Sequence, residues 1–223
     1  MKCAAEGVRS VLVTATRGEC GSVGDPPLCS REELGSVRER ELREAAAIIG
    51  FDEVHLLDYI DKQLAKAPAD QIRQSLVSVI RRTRPSVVFT FDPNGMNAHT
   101  DHIAISRFAS EAIAAAADVR WHPEIGDAHA VSSLLWTPPI TPWDAAERDR
   151  LEDLAGVDFI IDVSRWRDRR AAALRAHRTQ QPSISRCFWN QADPGRILDR
   201  EIWRQAWGPP LRHRPTDHVL AAF

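Results

Sequence analysis

His99, Asp101 and His102 lie within one four-residue stretch of this chain. It directly follows the apolar run Ser86–Phe91 (SVVFTF) and the turn Asp92-Pro93-Asn94-Gly95. A helix that starts near Thr100 puts positions 99 and 102 at i and i+3, on one side of its first turn. An imidazole with a carboxylate to orient it is a common general acid/base unit. A neutral imidazole is also the commonest metal ligand. Two histidines and an aspartate do not complete a catalytic zinc site, which takes three protein ligands and an open position. A metal reading therefore calls for a second cluster. The alternative is two histidines flanking a capping loop. Position favours function, because the loop follows a buried-strand pattern and so lies at the carboxyl end of a sheet, where open α/β folds bind ligands.

Other signals are weaker. Arg17-Gly18-Glu19 follows a strand-like run and is read either as a turn or as a hold on a polar substrate. Gly18, Gly21 and Gly24 do not make the G-x-G-x-x-G dinucleotide fingerprint. No G-x-S-x-G elbow is present, which disfavours a serine hydrolase. His177 ends a helical pattern, where a basic side chain is ordinarily a charge–dipole match. Thr216-Asp217-His218 echoes Thr100-Asp101-His102 without a helix start after it and is taken as chance.

The elements that must hold these residues alternate. Val8–Ala15 is a nearly continuous apolar, β-branched run that suits a strand buried on both faces. Ser30 with Glu33 predicts a capping box. A helix follows through Leu34, Val37, Leu42, Ala45, Ala46 and Ile49, stopped by Gly50 in the C′ position. A strand at 54–57, a helix over 69–82 (Ile72, Leu76, Val79, Ile80), the strand at 86–91 and a helix over 100–117 complete the first half. That order predicts βαβ units. The second half is less regular. It has strand patterns at 131–136 and 159–163, a loop marked by Pro138, Pro139 and Pro142, and a helix from Ser164 to His177. Residues 1–7 read as the last turn of a helix, with Gly7 at C′.

With 223 residues and a formal charge of −2, from 29 basic and 31 acidic side chains, the chain has no electrostatic footprint for general nucleic-acid binding. No apolar run approaches the roughly 18 residues a membrane-crossing helix takes. The N-terminus lacks the apolar core of a signal peptide. Cys3, Cys20, Cys29 and Cys187 form no C-x-x-C pair and read as free thiols, which implies a cytoplasmic protein.

Taken together, these segments resemble the PIG-L/LmbE-like deacetylases, zinc-dependent enzymes that remove acetyl groups from N-acetylglucosamine conjugates. The resemblance rests on Val13 to Glu19 with Gly21; on Arg38, Glu41-Leu42 and Ala45 up to Gly50; on Asp61; on Asp92 to Gly95 ahead of His99-Thr100-Asp101-His102; and on His177-Arg178-Thr179-Gln180. It implies a Rossmann-like, three-layer α/β domain over residues 1–223, with a mostly parallel sheet. It implies a small-molecule aminosugar substrate, neither nucleic acid nor membrane, and zinc as cofactor. By position, His102 is implied as a zinc ligand, and His99, with Asp101 as its partner, as the group that stabilises the oxyanion or protonates the leaving amine. Arg17, Glu19, Arg38, Asp61 and Asp92 are implied at the substrate. The family's other motif, A-H-P-D-D-E, supplies further zinc ligands and the general base from the end of a first strand, and it does not occur in this sequence. Position 100 is threonine where the family has proline. The sequence therefore predicts an N-terminally incomplete domain whose motif would lie roughly 20–30 residues upstream at typical element lengths. The alternative is a catalytically inactive, metal-deficient sugar-binding relative.

Overall fold

In the computed structural model the described residues are 1–138, 140 and 150–220. Pro139 and Pro142 of the anticipated loop lie outside them. The chain divides into two compact units: Met1–Lys62 with Asp162–Glu201, and Gln63–Ile161 with the residues from Ile202 onward.

The first unit opens with a short helix, α1 (Lys2–Ala5). Gly7, at φ +73°, follows its C-cap, Gly7 N–H donates to Ala4 O (3.2 Å) and Val8 N–H donates to Cys3 O (2.9 Å). This is the Schellman closure that a glycine at C′ permits. Strand β1 (Val11–Thr16) pairs in parallel with β2 (Glu53–Tyr59), and α2 (Leu34–Ile49) connects them. The predicted capping box forms. Glu33 N–H donates to Ser30 Oγ (3.2 Å) and Ser30 N–H donates to a Glu33 carboxylate oxygen (3.0 Å), while regular helix begins at Leu34. Gly50 ends α2 at φ +96°, in the left-handed region. Helix α2 packs on a later helix (Arg167–Ala176), and Ala45, Ala173 and Ala176 with Ile48 and Ile49 form the contact. That later helix does not start from a Ser164 side-chain cap. Ser164 N–H instead donates to Asp162 Oδ1 (2.8 Å), and a 3-10 turn, Ser164–Trp166, leads in.

The second unit contributes α3 (Ala69–Thr83), the short α4 (Gly95–Ala98) and α5 (Thr100–Ala117). Helices α3 and α5 pack together through Ile72, Leu76, Val77 and Ile80 on one and Ala104, Phe108, Ala112, Ile113 and Ala116 on the other. The stripe on α3 runs over Val77 rather than the anticipated Val79. A four-stranded sheet has the order β3-β4-β6-β5, with β3 Val87–Thr90, β4 Ser133–Trp136, β5 Phe159–Asp162 and β6 Arg200–Trp207. β3 and β4 are parallel, and β4 and β6 antiparallel. The fold is thus mixed α/β with parallel βαβ pairs, as Rossmann-like folds have. Two strands are more open than their composition suggested. β1 buries only Ala15 fully, and β3 exposes Phe89, whose ring meets Trp203 edge-on at 4.8 Å. The reason is position. Among the described residues β1 belongs to a two-stranded pair and β3 is at the end of the strand order.

Candidate functional site

The loop between β3 and α5 is built around Asp92. Its carboxylate is buried and accepts from the backbone N–H groups of Met96 (2.6 Å) and Asn94 (3.1 Å), while its own N–H donates to Thr137 Oγ1 (3.0 Å). These bonds fold Pro93 to Ala98 into a tight knot that includes α4, in which Gly95, Met96 and Ala98 have φ of +70°, +61° and +60°. Met96 and Ala98 meet a steric penalty there that glycine does not. Gly95 is needed for close approach as well, since a Cβ on it would come within 3.0 Å of His102 Cβ and of Ile103 N.

The knot delivers His99 as the N-cap of α5. Asp101 N–H donates to His99 Nδ1 (3.2 Å). A nitrogen that accepts carries no proton, so the neutral His99 ring holds its proton on Nε2, where it is a donor. His102 has the opposite tautomer. Its Nδ1 is 3.1 Å from Gly95 O, which can only accept, so Nδ1 bears the proton and the lone pair lies on Nε2. Phe91 stacks on His102 with ring centroids 3.9 Å apart and planes at 4°, and the His99 and His102 rings are 4.9 Å apart. Both rings are partly exposed at the positive end of α5. Asp101 is buried, and its Oδ1 accepts from Leu64 N–H (3.2 Å). The second unit thus brings His99, Asp101, His102 and Asp92 into one loop and helix start.

The other predicted residues lie in the first unit. Glu19 and Asp61 lock each other: Asp61 N–H donates to Glu19 Oε1 (2.8 Å) and Cys20 N–H to Asp61 Oδ2 (3.1 Å). Arg38 donates from Nη1 to Gly18 O (2.7 Å) and from Nη2 to Ser22 O (3.1 Å). Gly18 and Gly21 make room for it, because a Cβ on either would come within 2.5 Å of the guanidinium. The glycine-rich loop therefore wraps an arginine. Burial pulls the Arg38 pKa below its ordinary value, with Glu41 and Asp61 opposing. Two buried polar atoms here have no hydrogen-bond partner, Glu19 Oε2 and Arg38 Nε. Arg17 forms ion pairs with Glu39 (2.8 Å) and with Asp58. Burial also holds the His177 ring below the ordinary histidine range, Glu41 pulls the other way and Arg38 adds to the depression.

Sequence reasoning gave no role to Phe91 behind His102 and named Glu41 and Thr179 only as motif positions, without their pairing. The signal for Glu41 was available: positions 34, 38, 41 and 45 share one face of α2, and a charged residue in that stripe is out of pattern.

A zinc ion would find one suitably presented nitrogen in His102 Nε2. Among the described residues, however, no group of three or more His, Cys, Asp or Glu side chains comes together to hold a metal. The described donors do not by themselves complete the site.

The PIG-L family profile, described as GlcNAc-PI de-N-acetylase, matches residues 1–113. A 1D-myo-inositol 2-acetamido-2-deoxy-alpha-D-glucopyranoside deacetylase of Streptomyces scabiei is 31% identical over 224 aligned positions, which cover 80% of this chain and 69% of that protein. A probable N-acetyl-alpha-D-glucosaminyl L-malate deacetylase of Bacillus anthracis is 35% identical over 103 positions, covering 46% of this chain and 45% of the relative. Among solved structures, a conserved protein of Thermus thermophilus superposes with a TM-score of 0.69 at 26% identity, covering 96% of this chain and 88% of that one. The chain belongs to the PIG-L family, a family of hydrolytic N-deacetylases acting on a non-peptide C–N bond.

Proposed function

We propose that this protein is a zinc-dependent hydrolase that removes an N-acetyl or related acyl group from an N-acetylglucosamine-type conjugate. The observation that carries the reading is the His99/His102 pair, two imidazoles 4.9 Å apart with complementary tautomers at the first turn of α5. His99 presents an N–H to the oxygen that becomes negative as the amide carbonyl turns tetrahedral. The same N–H is placed to hydrogen-bond the departing amine. The positive end of α5 favours that charge as well. Asp101 fixes the His99 ring through its backbone N–H, and its buried carboxylate pins the helix start to Leu64. His102 is proposed as a zinc ligand through Nε2. The rest of a zinc ligand set is not assembled among the described side chains.

Arg17, Glu19, Arg38 and Asp61 are proposed to serve the sugar conjugate. The partnerless Glu19 Oε2 and Arg38 Nε support this for those two residues. Asp92 contributes by shaping the His99 loop, since both its oxygens are engaged there. A cytoplasmic setting belongs to the same proposal, in keeping with four unpaired thiols.

The incomplete donor set favours a second reading, a metal-deficient relative that binds the sugar without cleaving it. Incubation of the purified chain with zinc and a GlcNAc–inositol conjugate, with free amine and acetate both measured, separates the two. The enzyme reading expects amine and acetate in equal amounts, sharply reduced in His99→Ala. Saturable binding of the conjugate with no acetate released at any zinc concentration overturns it in favour of the second.

A further inference from the structure

The most buried polar contact of the first unit sits at the centre of the motif His177-Arg178-Thr179-Gln180. Thr179 is 0% exposed and Glu41 1%. The Glu41 carboxylate accepts from Thr179 N–H (2.9 Å) and from Thr179 Oγ1–H (2.7 Å), across 138 residues of chain. Both bonds are charge-assisted and geometrically specific. Burying a carboxylate for cohesion alone is inefficient, because an apolar residue in the same stripe commonly serves as well. Such a group does something an apolar one cannot: it fixes one turn at one angle and register.

What it fixes stands on either side. Arg38 is one helical turn before Glu41, on the same face of α2. Its guanidinium organises the Gly18–Ser22 loop and leaves Nε without a partner. His177 precedes Thr179 by two residues and is itself the C-cap of the helix Arg167–Ala176. Its carbonyl accepts from Gln180 N–H (3.0 Å) and Gln181 Nε2 (3.1 Å), so the backbone of the turn is closed on that side too. We infer that Glu41 is a positioning residue, which binds the turn carrying His177 to the face of α2 carrying Arg38 and so sets the direction of both side chains. The inference rests on the reading above that Arg38 serves the substrate.

The test uses the full chain. Glu41→Gln keeps the shape and removes the charge; Thr179→Val removes the hydroxyl donor and leaves the carboxylate; Thr179→Ser restores the donor. Histidine-selective ring NMR is recorded for each across pH. The charged groups acting on His177 are Glu41 and Arg38. In Glu41→Gln the upward pull is lost, so the His177 midpoint is expected to fall. Its ring signals should shift while those of His99 and His102 stay in place. Thr179→Val should shift them in the absence of a charge change, and Thr179→Ser should return them. Steady-state kinetics on methyl N-acetyl-α-D-glucosaminide, with zinc supplied, should show KM raised about tenfold, the weight of one charge-assisted contact, with kcat within about twofold. Unmoved His177 signals in both Glu41→Gln and Thr179→Val overturn the inference, as does a fall in kcat at constant KM. If Glu41→Gln does not fold, the valine and serine variants decide alone. If the unsubstituted chain releases no amine from the glycoside, the deacetylase reading fails, and the NMR comparison still decides the role of Glu41.

Discussion

At the scale of single residues, the chemistry turns on which nitrogen of each imidazole carries a proton. Backbone groups settle it on both sides, an N–H aimed at His99 and a C=O aimed at His102. Replacing His99 by alanine removes the Nε2–H donor. It is expected to cost roughly 10²–10³ in kcat, the usual weight of one oxyanion donor, with little change in KM. Initial rates of amine release measure this. Gly95→Ala attacks the same site from behind. The added methyl meets His102 Cβ at 3.0 Å in a left-handed backbone position. The variant should therefore fold and lose most of its activity, with shifted His102 ring signals and a nearly unchanged α-helical circular dichroism spectrum. His177 predicts a pH effect of definite sign. Its folded pKa lies below the unfolded value of about 6.5, so between the two the unfolded chain binds more protons. The stability this burial depends on is present above about pH 6.5 and declines as pH falls through the folded value. A urea midpoint that decreases between neutral and mildly acidic pH, with a shallower decrease in His177→Gln, is the expected outcome.

The elements show what local pattern can and cannot carry. Arg81 is an example of a role no pattern announces. It belongs to the last turn of α3 and is buried, and its guanidinium donates to the carbonyls of Ala115, Ala116, Asp118, Trp121, His122 and Gly126. It thus closes the C-terminus of α5 and the loop beyond. Arg81→Met keeps the stem and removes all of these donated bonds, and should cost about 3 kcal/mol, read as a lowered urea midpoint at unchanged slope. Sequence alone located β1, α2, β2, α3, β3 and α5, because each has either an apolar run or a 3.6-residue stripe with a definite stop. Thr100–Ala117 matches in both bounds, since His99 caps it and the alanine run continues it. β6 went unseen. Its run REIWRQAW mixes charged and aromatic residues with no clean alternation, and it is a strand because β4 and β5 flank it in the sheet order. The His99 loop was legible in residue type, whereas its tautomers depend on the positive-φ knot at Gly95–Ala98, which composition does not encode. The pairing of Glu41 was hidden for a related reason: its partner Thr179 lies 138 residues away.

For the molecule as a whole, the decisive quantity is how firmly it holds zinc. Structural zinc sites with complete ligand sets bind with apparent free energies of about 10–16 kcal/mol at neutral pH. Here the described residues place two imidazoles at the start of α5, and among those residues no group of three or more His, Cys, Asp or Glu side chains could hold a metal. Of the two, only His102 presents its lone pair on the nitrogen opposite a backbone anchor, the arrangement in which a second partner steadies a metal-bound histidine. His99 turns an N–H outward instead. Such a set should bind zinc in a weak, pH-dependent way, because protons compete for the same nitrogen. Titration of the metal-free chain with zinc, followed by calorimetry, should therefore give a dissociation constant of about 10 μM or weaker, corresponding to at most about 7 kcal/mol. His102→Ala should abolish the heat, while His99→Gln should leave it nearly intact, since that ring donates rather than ligates. A nanomolar site that survives His102→Ala would mean that the metal is held elsewhere and that the imidazole pair has a different task.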